Sequence, residues 1–390
     1  MAQISRRSYL PSRAIATGLS LALAFYYSKD LGVVNRSFVA VIMTASILSI
    51  AACVSGSTLT LRTIKLNLMD LNLRASFKSL VLLQGMLALT LYLLAIFSFS
   101  LFKDALPVQL LLVSIVYFVF SFLHLLFLEI VLANGDFKKA GELEILTVIL
   151  QIVGYFSGSL IGEISKASRL LFSFSISYLV VILIAWRITH FNLFTPLSNP
   201  SDFFSLTKGK NSIGATLAIL DRIDRLLIAW LLPTSNLGKY SVMSSFFSYF
   251  RFFPDAISKI IVAGPLKTRT GLLSKKVFLL VLFTAIAFVI LFGSRKFIEV
   301  YLGEVWLLPL AISILFMFQE ISRGYFQVLQ NRILARNTGQ PNHFPIAILI
   351  AIILLAILLV QFIGLTGVPL AFTICYLIGI IVMTVKEKNA

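Results

Sequence analysis

The run ILDRIDRLLIAW at residues 219–230 sets four charges, Asp221, Arg222, Asp224 and Arg225, among Ile, Leu, Ala and Trp. Read as a helix, it spaces Asp221 and Arg225 at i, i+4, so some internal pairing is available, while the like-charge pairs Asp221–Asp224 and Arg222–Arg225 fall at i, i+3. Such a set can do two things. Carboxylates can hold guanidinium groups in place, and an arginine's planar fork can grip phosphate oxygens in pairs. Two further apolar runs repeat the pattern. SSFFSYFRFFPDAISKII (244–261) carries Arg251, Asp255 and Lys259 at successive i, i+4 steps, hence along one face, with Pro254 able to kink the helix. LFMFQEISRGYFQVLQ (315–330) carries Glu320 and Arg323, with Gln319, Gln327 and Gln330 close by. A fourth run holds His124 and Glu129, five apart and off a common face.

The rest of the chain says what surrounds these charges. Of 390 residues, 59% are hydrophobic and 13% charged, about half the roughly 25% expected of a soluble domain. Apolar runs long enough for a hydrocarbon core of about 30 Å recur throughout. They predict an all-α polytopic membrane protein with twelve spans, at about 14–28, 38–61, 80–101, 108–132, 145–162, 170–186, 213–232, 238–262, 277–293, 305–330, 345–362 and 367–385. Helices are required because lipid offers no partner to an open strand edge.

The net charge of +17 is topological rather than a signature of nucleic-acid binding. With the N-terminus inside, the inside segments hold more than twice as many Lys and Arg as the outside loops, which carry Lys29, Arg36, Lys103, Lys166, Arg169, Lys239, Arg295 and Lys296. Both termini are therefore placed in the cytoplasm. No cleavable leader is read at the N-terminus. Cys53 and Cys375 fall inside apolar runs, as small buried hydrophobes. Walker motifs, nucleophile elbows and metal-ligand spacings are missing from the sequence, so no catalytic residue, metal or cofactor is assigned.

The connection at 187–211, with two prolines and a turn-rich centre, is the natural joint between two six-helix lobes. The expected organisation is an N-terminal lobe at 1–190, a cytoplasmic linker at 191–212 and a C-terminal lobe at 213–390. The lobes look alike. FYYSKDLGVVNRSFVAV (25–41) lies on WLLPTSNLGKYSVMSSF (230–246) with one residue of slip, so that Leu31-Gly32 meets Leu237-Gly238, each in a short outside turn. Gly56 followed by Arg62 and Lys65 similarly answers Gly264 followed by Lys267 and Arg269. An even number of spans per lobe makes this a parallel repeat.

A charge at a helix centre costs about 2.5–3.5 kcal/mol on an insertion scale, and each Leu or Ile returns about 0.3–0.6. Four charges in the seventh span thus cost on the order of 10 kcal/mol, and its apolar residues return about half of that. A single pair in this setting can be glue between helices. Five bases (Arg222, Arg225, Arg251, Lys259, Arg323) and five acids (Glu129, Asp221, Asp224, Asp255, Glu320) within spans are too many for glue alone, and intramembrane charge marks a pathway. The stripe Gly154, Gly158, Gly162 reads as a close-packing face.

LDRIDRLLIAWLLPTSNLGKYSV (220–242), with its acidic–basic start and its Leu-Gly and Tyr, and YYSKDLGVVNRSF (26–38) opening the first half, resemble the multidrug/oligosaccharidyl-lipid/polysaccharide exporter superfamily. Within it the chain is most similar to the polysaccharide branch, the bacterial flippases of lipid-linked O-antigen or capsule repeat units. The resemblance implies a carrier in the bacterial inner membrane that is not an enzyme. It works by alternating access on an undecaprenyl-pyrophosphate-linked oligosaccharide. Membrane lipids, and the polymerase and chain-length regulator of lipopolysaccharide synthesis, are the implied partners, and an H+ or Na+ gradient the implied drive. Position by position, it makes Arg222, Arg225, Arg251, Lys259 and Arg323 lumen bases, with Arg13 and Arg62 as first-half counterparts. Asp221, Asp224, Asp255, Glu320 and Glu129 become charge-positioning or ion-coupling residues. The shortness of the chain disfavours the fourteen-helix lipid II flippase subgroup. The two rival readings are an O-antigen polymerase, which should carry a large outside loop, and a cation-coupled drug antiporter, whose cavity acids should exceed its bases.

Overall fold

The structure, a computed structural model, describes residues 2–64, 71–158, 165–191, 198–207, 210–247, 291–336 and 344–388. Every regular element among them is helical, as the apolar run lengths require. The helices are α1 (Ala2–Ile64), α2 (Leu71–Phe102), α3 (Val108–Ala133), α4 (Phe137–Gly158), α5 (Lys166–Thr189), α6 (Ser201–Thr207), α7 (Lys210–Leu220) and α8 (Ile223–Leu231). They continue with α9 (234–247), α10 (291–301), α11 (Leu310–Arg336), α12 (Phe344–Ile363) and α13 (Gly367–Lys388). The ninth expected span lies almost wholly outside the described residues.

Six described helical stretches are long and apolar enough to cross a membrane. Pro11–Thr58 and Phe344–Val385 have 48 and 42 residues. At 1.5 Å per residue each is about twice the length one crossing needs. Each contains a break at its middle, a single-turn 3-10 helix at Gly364–Thr366 in one and Gly32 (φ 73°, ψ 170°) in the other. That backbone conformation is open to glycine at little cost and to other residues only under strain. The first two expected spans are therefore joined by one non-helical residue rather than by a loop. Outward-facing apolar side chains such as Met86, Leu354 and Ile381, all more than 60% exposed, fit a surface solvated by lipid.

The chain forms two compact units, Met1–Leu23 with Phe38–Arg222, and Ala24–Ser37 with Ile223–Ala390. In the first, α5 packs on both α3 and α4. Gly154 sits under Ser173, where a Cβ would come within 2.6 Å of Oγ, so this glycine of the stripe serves close helix packing. Gly162 is outside the described residues. The connection after α5 contains α6, which docks on α2 through Phe203 against Phe77 and a hydrogen bond from the Phe203 backbone N–H to Ser76 Oγ at 3.0 Å.

In the second unit, α13 packs on α11 and α12, and α8 touches α12 and α13. The middle piece of α1, Ala24–Ser37, belongs here. Phe25 packs on Phe246 and Phe297, the Lys29 ammonium lies over the Tyr301 ring, and Ser37 Oγ donates to the Thr234 carbonyl at 2.7 Å. Leu237-Gly238, expected in a turn, lies inside α9 instead. The chain turns at Leu232-Pro233, because proline's fixed φ and missing N–H suit the start of a helix and not its interior. Gly238 faces its repeat counterpart: a Cβ there would stand 2.3 Å from the Val33 carbonyl oxygen.

Candidate functional site

The seventh expected span is not one helix. A turn at residues 221–222 ends α7 and restarts the chain as α8, so the four charges that are costly in an unbroken helix stand at a break. Arg222 and Asp221 occupy the turn itself, Nε to Oδ2 3.9 Å, with side chains 25% and 28% exposed. Asp224 and Arg225 open α8, where a carboxylate suits the positive end of the helix. Asp224 Oδ1 accepts the Arg225 backbone N–H at 3.0 Å. The Arg225 guanidinium donates to Ser244 Oγ on α9.

Asp224 is the hub of a buried polar cluster. Its Oδ2 accepts the Tyr240 hydroxyl of α9 at 2.9 Å and the Gln319 amide of α11 at 3.1 Å. Arg323 Nη2 lies 3.4 Å from the same oxygen, and its Nη1 donates to Glu320 Oε1 at 2.8 Å. The Arg323 guanidinium carbon stands 5.3 Å from the ring centre of Phe372 and 5.8 Å from that of Tyr376, both on α13. Asp224, Glu320 and Arg323 are 1–2% exposed, and Tyr240 and Gln319 fully enclosed. One carboxylate thus ties α8, α9 and α11 together, while the arginine between two acids adds α13. Charge-assisted bonds of this kind are strong, and in a low-dielectric interior each member depends on the others.

The structure therefore joins Asp224, Glu320 and Arg323, which the sequence placed in two separate spans, and adds Tyr240, Gln319, Phe372 and Tyr376. Gln319 and Tyr240 had a trace in the sequence, one beside Glu320 and the other in the Leu-Gly-Lys-Tyr segment, but nothing linked either to Asp224. Phe372 and Tyr376 had none. In the first unit, Arg13 is half-buried on α1 and Glu129 is buried on α3. His124 meets Thr147 Oγ1 at 3.1 Å and stacks on Tyr178, which sets it in the packing between α3, α4 and α5. Arg251, Asp255, Lys259 and the Arg62 side chain lie outside the described residues. Among the described residues no group of three or more His, Cys, Asp or Glu could hold a metal ion.

No protein-family model matches the chain, and no curated protein matches its sequence. Its fold is shared with solved structures. A lipid II flippase, MurJ, in an inward closed conformation aligns over 99% of this chain and 87% of its own, with TM-score 0.66 and 18% identity. A MATE transporter in complex with MaL6 aligns over 98% and 95%, with TM-score 0.66 and 12% identity. A Vibrio cholerae MATE transporter aligns over 100% and 98%, with TM-score 0.63 and 14% identity. At these identities the likeness is one of fold: the chain is a multi-span, all-helical membrane protein with the fold common to a lipid flippase and to MATE transporters.

Proposed function

We propose that the chain is a flippase that carries an undecaprenyl-pyrophosphate-linked oligosaccharide, an O-antigen or capsule repeat unit, from the cytoplasmic to the outer face of the bacterial inner membrane by alternating access. The observation that carries this reading is the break between α7 and α8. In transporters, discontinuous helices at membrane depth build the substrate site, and here the break carries Arg222, with a quarter of its side chain exposed, and Arg225 three residues further along the chain. Two guanidinium groups suit a pyrophosphate, which offers oxygens to planar forks in pairs. The shared fold with a lipid II flippase supports a lipid-linked cargo over a free sugar.

In this proposal Arg222 and Arg225 meet the pyrophosphate, Asp221 holds Arg222, and Arg13, Arg62, Arg251 and Lys259 are further bases along the path. Asp224 and Glu320 are the coupling carboxylates, with Asp255 and Glu129 as secondary ones. When either takes up H+ or Na+, its hold on Arg323 weakens and the guanidinium becomes available to an anion. No covalent chemistry is assigned. The lobes at 1–190 and 213–390, cytoplasmic termini, and pathway partners that polymerise the unit belong to the same proposal.

A second reading, a cation-coupled drug antiporter, is favoured by the likeness to MATE transporters. Deletion in the native host separates the readings. Loss of surface repeat units with undecaprenyl-linked units held inside supports the flippase. Unchanged polysaccharide with greater sensitivity to cationic drugs supports the antiporter. A surface capped by single repeat units supports the polymerase.

A further inference from the structure

Arg36 was expected in an outside loop. It is instead a helical residue of α1, four positions beyond the Gly32 break, and only 5% exposed. No carboxylate among the described residues pairs with it, and its buried Nε has no hydrogen-bond partner. Its guanidinium carbon stands 4.7 Å from the centre of the Tyr27 ring, itself 5% exposed, so the contact reaches back across the break. An aromatic face offsets part of the cost of burying a cation, but it leaves the Nε–H donor unsatisfied. Arg323 shows how this chain otherwise treats a buried guanidinium: two carboxylates as well as two rings. Arg36 has the ring and, among the described residues, lacks the anion.

The break beside it has room. A Cβ built on Gly32 would meet no atom within 4 Å, and of the residues that flank the break in sequence Lys29, Val34 and Asn35 are exposed and Asp30 half-buried. The helical segment that restarts after Gly32 adds the positive end of its dipole to the same place.

We propose that Arg36, braced on Tyr27 beside the Gly32 break, is a binding site for a phosphate group, in which the planar fork of Arg36 grips the phosphate oxygens. The group is the phosphate of an anionic lipid headgroup or the pyrophosphate of a lipid-linked carrier. The proposal uses neither Arg222 nor Arg225 and does not depend on what the protein transports.

The test is native mass spectrometry of the full chain released from detergent, with undecaprenyl pyrophosphate, phosphatidylglycerol or inorganic phosphate as probe. Wild type, Arg36→Gln and Arg36→Lys are compared, each also in an Arg222→Ala, Arg225→Ala background that removes the two arginines proposed to meet the pyrophosphate. We expect at least one probe to bind wild type and to lose tenfold or more in Arg36→Gln. Arg36→Lys keeps the charge without the fork and should retain an intermediate affinity, which preserves the comparison if Arg36→Gln fails to fold. Preference for undecaprenyl pyrophosphate assigns the site to the carrier, equal binding of both lipids assigns it to headgroups, and binding of inorganic phosphate alone assigns it to the free anion. Equal binding by wild type and both Arg36 variants, or no binding by wild type, overturns the proposal.

Discussion

The Tyr240 hydroxyl donates to Asp224 Oδ2 across 2.9 Å, joining α9 to α8 at a point where both side chains are closed off from solvent. Tyr240 also packs edge-on against Phe316. Tyr240→Phe keeps the ring and removes only the donor, so it should cost about 1.5–3 kcal/mol, the range for a hydrogen bond to a charged group. A lower melting temperature of the purified protein, with the same oligomeric profile, is the expected result.

Arg323→Ala should be more severe. It leaves Asp224 and Glu320 facing each other without the guanidinium between them, and breaking a buried pair in this way costs about 3–5 kcal/mol. The variant should accumulate poorly in membranes. The double variant Arg323→Met with Glu320→Gln should recover part of the loss, because it removes a charge of each sign. Fluorescence-detected gel filtration after a heat challenge reads both. A single variant as stable as wild type would mean that the cluster holds nothing together.

Two glycines should fail for different reasons. Gly32→Ala meets open space but adopts a backbone that only glycine takes easily, at a cost of about 1–3 kcal/mol. Gly238→Ala has an ordinary helical backbone, but its Cβ would stand 2.3 Å from a carbonyl oxygen and 2.7 Å from Ser37 Oγ. Backbone cannot yield as a flexible side chain does, so the middle piece of α1 must shift away from α9. A Gly238→Ala variant with full transport and unchanged melting temperature would show that this close approach is dispensable.

Arg222→Ala and Arg225→Ala should abolish export while leaving expression and membrane insertion intact. Arg222 stands in the turn between α7 and α8 with a quarter of its side chain exposed, where exchanging a partly solvated charge costs the fold little. Complementation of a deletion strain, read as surface polysaccharide, checks this. Normal polysaccharide from both variants would remove these arginines from the substrate path.

The helical class and the positions of the long spans were legible because apolar run length is a local property and lipid leaves few alternatives. The charge in the seventh span was legible as a problem, since its cost exceeds what the neighbouring apolar residues return. Its solution was not legible. The turn at residues 221–222 lies among residues that favour helix, and the partners of Asp224 come from 16 and 95 positions away. Spacing along one helix says nothing about either. Arg36 shows the converse error. A basic residue between two apolar runs reads as a loop charge, whereas the one-residue break at Gly32 keeps it helical and buried.

The central claim is translocation of a lipid-linked pyrophosphate, and reconstitution tests it most directly. Purified protein is placed in liposomes carrying undecaprenyl-pyrophosphate-linked oligosaccharide in the inner leaflet, and a membrane-impermeant glycosidase is added outside. The account predicts that wild type, under an imposed H+ or Na+ gradient, exposes the sugar to the enzyme well above protein-free liposomes, and that Arg222→Ala does not. Exposure no faster than in protein-free liposomes, under either gradient, would contradict it.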